Sequence, residues 1–480
     1  MTSNKLHEEC GVFGIYSNDD IDVVSSAYYA LFALQHRGQE SCGIAVCDDG
    51  VIKGFNDAGL VNDVFTKDVI KNLGGGNMAI GHVRYGMNKD ESPRRNAQPL
   101  IVTHIKGNMA LCNNGMLTNY AELREELELK GVIFRSTGDA EIIASVVVAE
   151  RLRTGSIQTA VCEAMNKLKG AYSTLIMSPK KLIGMRDPYG FHPLCIGKIK
   201  NSFVLASETC ALDSIGATFV RDVEPGEVVI IDKEGLRSIT THCNTKPQSL
   251  CVFEFVYFAR PDSVVDGSCV HEARARAGAF LAQQEKIDAD VVIGVPDSGI
   301  DAAIGYARES GIPYGLGFLK NKYIGRTFIQ PTQADRENKV RIKLNPIAST
   351  VAGKRVVMID DSIVRGTTCA RIVRLLRNAG ATEVHVRVTA PPFKHPCYFG
   401  TDVPKQSELI ANRFEDPKEL AKELGADSVG FITVENVLKI AKDCKLNFCS
   451  GCFTGEYICE PPVKEKEHKY AKKISEGEKK

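Results

Sequence analysis

Residues 355–381, RVVMIDDSIVRGTTCARIVRLLRNAGA, decide how the C-terminal half of this 480-residue chain is built. A short apolar run reads as a buried strand, which hands two adjacent carboxylates, Asp360 and Asp361, to a turn ending Arg365-Gly366-Thr367-Thr368. Apolar residues at helical spacing follow. Residues 289–312, ADVVIGVPDSGIDAAIGYARESGI, repeat that order, and TEVHVRVTA at 382–390 supplies another strand. Strand, loop, helix, strand at this rhythm predicts a parallel sheet, whose ligands gather at the carboxyl ends of the strands.

That placement gives the loop residues their chemistry. Hydroxyls and free N–H groups at a helix N-terminus cradle phosphate, and a carboxylate pair suits ribose hydroxyls and Mg²⁺. The plain alternative is that the aspartates only cap the next helix. VPDSG at 295–299, with Asp297, Ser298 and Gly299, stands after the earlier strand. It suits either a second phosphate cradle or an ordinary β-turn. Between the two loops, GFLKNKYIGRTFIQPTQADRENKVRIKLN (317–345) is long and basic. It reads as a lid whose Lys320, Lys322, Tyr323 and Arg326 close over a polyphosphate, or as a solvated basic face.

The rest of the chain follows a different grammar. A polar stretch near 236–249 marks the boundary, and before it strands and helices mix without strict alternation. MAIGHVRYG (78–86), STLIMS (173–178) and SFVLASE (202–208) read as strands, and DIDVVSSAYYALFALQHRG (20–38) as a helix ending at a C-cap Gly38. This predicts a layered α+β domain.

Composition narrows the class. Charged residues make up 25% and the formal charge is +1, so no long-range field favours nucleic acid or an anionic membrane. No apolar run is long enough to span a bilayer, residues 1–9 lack the apolar core of a secretory signal, and the cytoplasm is the expectation. Sixteen cysteines in a reducing compartment are core residues, metal ligands or nucleophiles before they are disulfides. Cys47, Cys162, Cys195, Cys210 and Cys369, among small or apolar neighbours, read as packing. The charged end, EPPVKEKEHKYAKKISEGEKK (460–480), is expected to stay disordered.

Cys10 is the conspicuous thiol. A free thiol of pKa about 8.5 is only a few per cent ionised at neutral pH and needs a base. Removing residues 1–9 would give Cys10 a free α-amine of pKa about 7.7–8.0, able to take that proton. The alternative is a buried cysteine in a first strand. Arg84 suits a bidentate grip on a carboxylate. Asn114 and Gly115 offer an amide and an unhindered N–H to an oxyanion. Asp139 suits an ammonium, or caps the helix after Gly138.

Together CGVFGI (10–15), LQHRGQES (34–41), GHVRYG (81–86), CNNGMLTN (112–119), GDAE (138–141) and RDPYGFHPL (186–194) resemble the class II glutamine amidotransferase family. The resemblance runs over about residues 10–235. It implies an αββα N-terminal-nucleophile glutaminase with residues 1–9 as an autocatalytically removed propeptide. Cys10 would be the nucleophile, Arg84 and Asp139 the glutamine binders, Asn114 and Gly115 the oxyanion hole. The C-terminal half resembles the type I phosphoribosyltransferases, so that nearly the whole chain is similar to the branch of the family that joins the two domains. FEFVYFARPDS (253–263), with Tyr257, Arg260 and Asp262, belongs to that pattern.

The resemblance implies domains over 10–240 and 250–460. Ser298, Asp360 and Asp361 would hold Mg²⁺, and Asp297, Ser298, Gly299, Lys320, Tyr323, Asp360, Asp361, Arg365, Gly366, Thr367 and Thr368 would contact PRPP or a nucleotide. Glutamine, PRPP and water would give phosphoribosylamine, glutamate and pyrophosphate, with ammonia made at Cys10 passing to the PRPP site. It further implies inhibition by purine nucleotides, a homotetramer, and no nucleic-acid or membrane partner.

NFCSGCFTG (447–455) sets Cys449 and Cys452 in C-x-x-C spacing, compatible by itself with zinc, iron–sulfur or redox use. One branch of the family carries a 4Fe–4S cluster, and its pattern matches Cys251, Cys397, Cys449 and Cys452; Cys444 and Cys459 are left over. Two other functions share parts of the pattern. A glutaminase serving a sugar-phosphate isomerase would lack IDDSIVRGTT (359–368), and a non-catalytic PRPP sensor would not need Cys10, Asn114 and Asp139.

Overall fold

Alternating apolar residues in the N-terminal half produce two antiparallel sheets laid face to face. A computed structural model describes residues 10–86, 92–321, 344–414 and 416–463. Residues 1–9, Lys322, Tyr323, Arg326 and the charged stretch from 464 onward lie outside them. The described chain forms two units: residues 10–250 with Tyr398–Thr401 and 457–463, and Cys251–Cys397 with Asp402–Glu456.

In the first unit a seven-stranded sheet runs β11-β9-β10-β1-β4-β2-β3. Its strands are β1 (Gly11–Tyr16), β2 (Ser41–Asp48), β3 (Val51–Ala58), β4 (Met78–Arg84), β9 (Cys195–Ile199), β10 (Ser202–Ala206) and β11 (Thr218–Asp222). A six-stranded sheet runs β13-β12-β8-β7-β6-β5. It contains β5 (Leu100–His104), β6 (Gly107–Asn114), β7 (Ser173–Ser178), β8 (Lys181–Arg186), β12 (Val228–Asp232) and β13 (Gly235–Ile239). Val12, Ile80, Cys112, Leu175 and Leu182 fill the space between the sheets. Ala79 and Val83, on the opposite face of β4, pack with Ala27 and Leu31 from the helix Val23–Ala33 and with Leu34 just beyond it. On the far side the helices Asp139–Arg153 and Ile157–Met165 cover Met109, Leu111, Ile176 and Ile183. Each fully buried Val, Leu or Ile contributes about 1.5–3 kcal/mol. The layers are those expected, αββα.

The helix Val23–Ala33 begins at Asp22, whose carboxylate accepts from the Val24 and Ser25 N–H groups, and it is capped at Leu34. Gly38 is therefore not the C-cap. A side chain there would meet the Arg84 backbone at 2.6 Å, so the glycine permits close approach to β4 instead.

In the second unit β17 (Val291–Gly294), β20 (Arg355–Asp360), β21 (Glu383–Val388) and β22 (Ser428–Phe431) form a parallel sheet in that order. The helices Gly299–Ser310 and Thr367–Asn378 follow β17 and β20, as the two sequence repeats predict. Ile372, Val373 and Leu376 pack the second helix onto Val356, Met358 and Val384. Smaller pairs complete the strand set: β14 (Ser249–Cys251) with β23 (Asn447–Cys449), β15 (Val264–Val265) with β16 (Ser268–Cys269), and β18 (Phe318–Lys320) with β19 (Leu344–Pro346). No helix among the described residues is long and apolar enough to cross a membrane. Cys47, Cys195, Cys210 and Cys369 are buried and Cys162 packs against a core, as ordinary hydrophobes do.

Candidate active sites

The glutaminase residues collect where β1, β4 and β6 end. Gly11 pairs with Val83 and Val12 with His82, which puts Cys10 next to Arg84 at the end of the ladder. Side chains alternate along a strand. Ile80 faces the inter-sheet core, so His82 and Arg84 are aimed the same way. The Cys112 thiol in that core is pushed up by burial and further by the nearby Cys10. It stays protonated and inert, while Cys10 is only half-buried.

β6 delivers Asn113, Asn114 and Gly115 to the same end. Asn114 is buried, and its Nδ2 has no hydrogen-bond partner among the described residues. A buried donor left unpaired costs about 1–3 kcal/mol and is rare in a native structure. Gly115 has φ +127°, and a Cβ there would lie 2.3 Å from the Ala171 carbonyl oxygen. Only glycine fits. Asn113 holds the turn: its N–H donates to Gln98 Oε1 at 2.7 Å, its Oδ1 accepts from Thr174 Oγ1 at 2.7 Å, and its Nδ2 donates to the Gly115 carbonyl at 3.2 Å.

Asp139 opens its helix at the first position, with Gly138 as the cap residue. Its Oδ1 accepts from the Leu117 N–H at 3.0 Å, two residues beyond Gly115, so it is tied to the site rather than spent as a cap. Arg84 pairs with Glu40. A carboxylate arriving there shares the guanidinium with Glu40 or replaces it.

Sequence reasoning did not single out Arg37 and Glu208. Arg37 Nε donates to the Cys10 carbonyl at 3.1 Å, and Arg37 Nη1 pairs with Glu208 Oε1 at 2.6 Å, both side chains fully buried. His36 Nε2 reaches the same oxygen at 2.8 Å. Burial alone would raise the Glu208 carboxyl, but His36 and Arg37 hold it well below the usual carboxylate range. No local sequence signal marks the pair, because its members stand 171 positions apart.

In the second unit the loops after β17 and β20 converge. Ser298 Oγ donates to Asp361 Oδ1 at 2.6 Å, Ser362 Oγ donates to Oδ2 at 2.5 Å, and the Asp361 N–H donates to Asp360 Oδ1 at 3.0 Å. Asp360 and Asp361 are buried at the strand's carboxyl end. Gly299 opens its helix, with the peptide bond between Pro296 and Asp297 cis. Lys320 pairs with Asp297, closing the loop's outer side. Gly366, at φ +81°, is the N-cap before Thr367 and Thr368. Arg365 pairs with Glu408, 2.7 Å from Oε2. Arg260 and Asp262 pair with each other at 2.5 Å. Arg274, which sequence reasoning missed, holds the carbonyls of Phe255, Tyr257 and Ala259 at 2.8–2.9 Å. Tyr323 lies outside the described residues.

Burial raises the thiols of Cys449 and Cys452, and Cys397 is close enough to raise both further, as Cys449 does that of Cys452. Cys449 is pushed up to about 12. The N–H groups of Lys394 and His395 both donate to the Cys452 carbonyl at 3.1 Å, which draws the Cys397 segment in. Cys251 lies in β14, the strand laddered to β23 and its Cys449. Phe253, Phe393 and Phe453 pack alongside, ring centroids 5.2–5.9 Å apart. None of the four is in a disulfide. No group of three or more His, Cys, Asp or Glu among the described residues is arranged to hold a metal ion as it stands.

These two sites, on these two folds, define a class II glutamine amidotransferase joined to a phosphoribosyltransferase. Residues 82–214 match the glutamine amidotransferase domain family and residues 270–401 the phosphoribosyl transferase domain family. The chain is 46% identical to amidophosphoribosyltransferase of Methanocaldococcus jannaschii, over 94% of this chain and 98% of that one. It is also 46% identical to the Bacillus subtilis amidophosphoribosyltransferase, over 95% of each. Among solved structures it is similar to the B. subtilis glutamine PRPP amidotransferase complexed with ADP and GMP (TM-score 0.86, 45% identity, 94% of this chain and 98% of that one). A structure described as the allosteric regulatory enzyme of purine biosynthesis gives TM-score 0.87 at 44% identity, over 96% and 100%. The chain belongs to the amidophosphoribosyltransferase family, and its function is that family's: a glutamine amidotransferase and pentosyltransferase of purine nucleotide biosynthesis.

Proposed function

We propose that Cys10, freed as the first residue by loss of residues 1–9, makes ammonia from glutamine, and that the Ser298–Asp361 site uses it on PRPP. The observation that carries the first half is the buried Asn114 Nδ2, without a partner among the described residues, beside Gly115 at the same sheet end as Cys10. The α-amine takes the thiol proton, and Cys10 Sγ attacks the amide carbon. Asn114 Nδ2 and the Gly115 N–H receive the oxyanion, a donor of this kind being worth about 3–4 kcal/mol. Ammonia leaves with the proton, and water then hydrolyses the thioester to glutamate. Arg84 and Asp139 take the α-carboxylate and α-ammonium of glutamine.

At the second site Asp297, Ser298, Gly299 and Gly366 to Thr368 surround the place for PRPP, with Lys320 at the rim and Tyr323 and Arg365 added by family resemblance. The hard oxygens of Ser298, Asp360 and Asp361 fit Mg²⁺, which neutralises a leaving pyrophosphate when bound. Asp361, oriented by two hydroxyls, fixes that donor set. Four half-buried cysteines outside any disulfide, set among aromatic rings, fit the ligand complement of a 4Fe–4S cluster at Cys251, Cys397, Cys449 and Cys452. Its role would be structural, because neither half-reaction moves electrons. The ADP and GMP on the B. subtilis relative support purine nucleotides as inhibitors. A cytoplasmic homotetramer completes the proposal.

The test is Cys10→Ala, assayed by PRPP-dependent pyrophosphate release. Glutamine-dependent synthesis is lost and free ammonia is still accepted. Equal loss with both donors would contradict two separate sites.

A further inference from the structure

We propose that His82 is a positioning residue for the oxyanion hole: its imidazole, spanning from one sheet to the other, holds the Asn113–Asn114–Gly115 turn in the geometry that receives the negative charge. The proposal rests on the reading of Asn114 and Gly115 as oxyanion donors.

His82 is fully buried in β4, opposite Val12 of β1. Its Nε2 lies 3.1 Å from the carbonyl oxygen of Asn113, which belongs to β6 in the facing sheet. A carbonyl oxygen only accepts, so the proton sits on Nε2. Nδ1, buried and without a partner among the described residues, then carries the lone pair. Protonating it would place an unpaired N–H in the core. Burial accordingly drives the imidazole pKa down to about 3, and the donor stays neutral across the working range.

The bond matters through the rigidity of the peptide unit. Fixing the Asn113 carbonyl fixes the plane that contains the Asn114 nitrogen and Cα. The other groups of Asn113 are held by Gln98, Thr174 and Gly115. Without His82 the plane bearing Asn114 loses its only side-chain restraint from the sheet that carries Cys10 and Arg84 among the hydrogen bonds described at this turn. Displacements near 1 Å at such a site cost about 10²-fold in rate. Glutamine binding through Arg84 and Asp139 does not depend on that plane.

The experiment compares His82→Leu and His82→Gln with the unaltered enzyme. Glutamine places an amide nitrogen where the imidazole Nε2 stands and can give the same hydrogen bond; leucine cannot. Measured quantities are kcat and KM for glutamine hydrolysis, ammonia-dependent synthesis, and inhibition by glutamate γ-semialdehyde, whose thiohemiacetal with Cys10 loads the oxyanion hole. Expected for leucine are a loss of about 10- to 100-fold in kcat and weaker aldehyde inhibition, with KM within about twofold and ammonia-dependent synthesis retained. Glutamine at 82 recovers kcat to within about threefold. Unchanged kcat in His82→Leu overturns the proposal. So does a His82→Gln enzyme that binds glutamate normally yet stays as slow as, or slower than, the leucine form. If leucine prevents folding, His82→Gln decides alone: near-normal kcat supports the proposal and lost kcat overturns it. Asn114→Ala separates the two levels, because unchanged kcat there removes the oxyanion reading itself.

Discussion

Arg37 Nε donates to the carbonyl oxygen of Cys10 at 3.1 Å, while its guanidinium is neutralised by Glu208 in a pair with no solvent exposure on either side. The nucleophile's own peptide unit is thus clamped from below. The bond fixes the peptide unit that joins Cys10 to Gly11, on the carbonyl side of the thiol-bearing carbon.

Removing one member of such a pair strands a buried charge, which costs about 3–5 kcal/mol. Glu208→Gln is therefore expected to lower stability by that order in chemical denaturation and to slow glutamine hydrolysis more than ammonia use. The pH dependence has a definite sign. The Glu208 carboxyl is depressed in the fold, so its contribution is complete above the unfolded value of about 4.3 and is lost as pH falls through lower values. Acid unfolding of Glu208→Gln should show a shallower loss below about pH 4.3 than the unaltered chain.

Gly115→Ala tests the oxyanion turn through the backbone. A methyl group would press on the Ala171 carbonyl at a φ of +127°, strain of about 1–3 kcal/mol. Glutamine hydrolysis should fall about 10²–10³-fold with ammonia-dependent synthesis preserved, both read by pyrophosphate and glutamate release.

Asp361→Asn tests the other unit. Asp361 accepts hydroxyls on both oxygens, and an amide keeps the shape but offers one acceptor oxygen and no negative charge. Synthesis from either nitrogen source should drop by about 10²-fold while glutamine hydrolysis at Cys10 continues. Loss confined to the glutamine-dependent reaction would contradict the assignment.

For the thiols, anaerobically purified enzyme should contain iron and acid-labile sulfide in equal amounts. Cys449→Ser and Cys452→Ser should remove both and lower the melting temperature. Elemental analysis and thermal unfolding give the readout. Zinc without sulfide, or full stability after iron removal, would count against the cluster.

Much of this was legible in the chain. The parallel sheet followed from two strand–loop–helix runs, because the residues that end a strand and start a helix sit together in sequence: Asp360, Asp361 and Thr367 fall where the pattern predicts. STLIMS is strand β7 to the residue. What could not be read were partnerships across the fold. Arg37 meets Glu208 from 171 positions away, and Ser298 meets Asp361 from 63, distances over which periodicity carries no information. Gly38 misled for a similar reason. It resembles a helix cap locally, but its lack of a side chain serves the passing backbone of Arg84.

The central claim is that the thiol and the nitrogen of Cys10 act together, and the most direct measurement is the intact mass of the N-terminus in a preparation of full glutamine-dependent activity. The expected result is a chain beginning at Cys10, with Arg37→Ala slowing turnover in that processed form. A fully active chain that still begins at Met1, its Cys10 nitrogen in a peptide bond, would contradict the account.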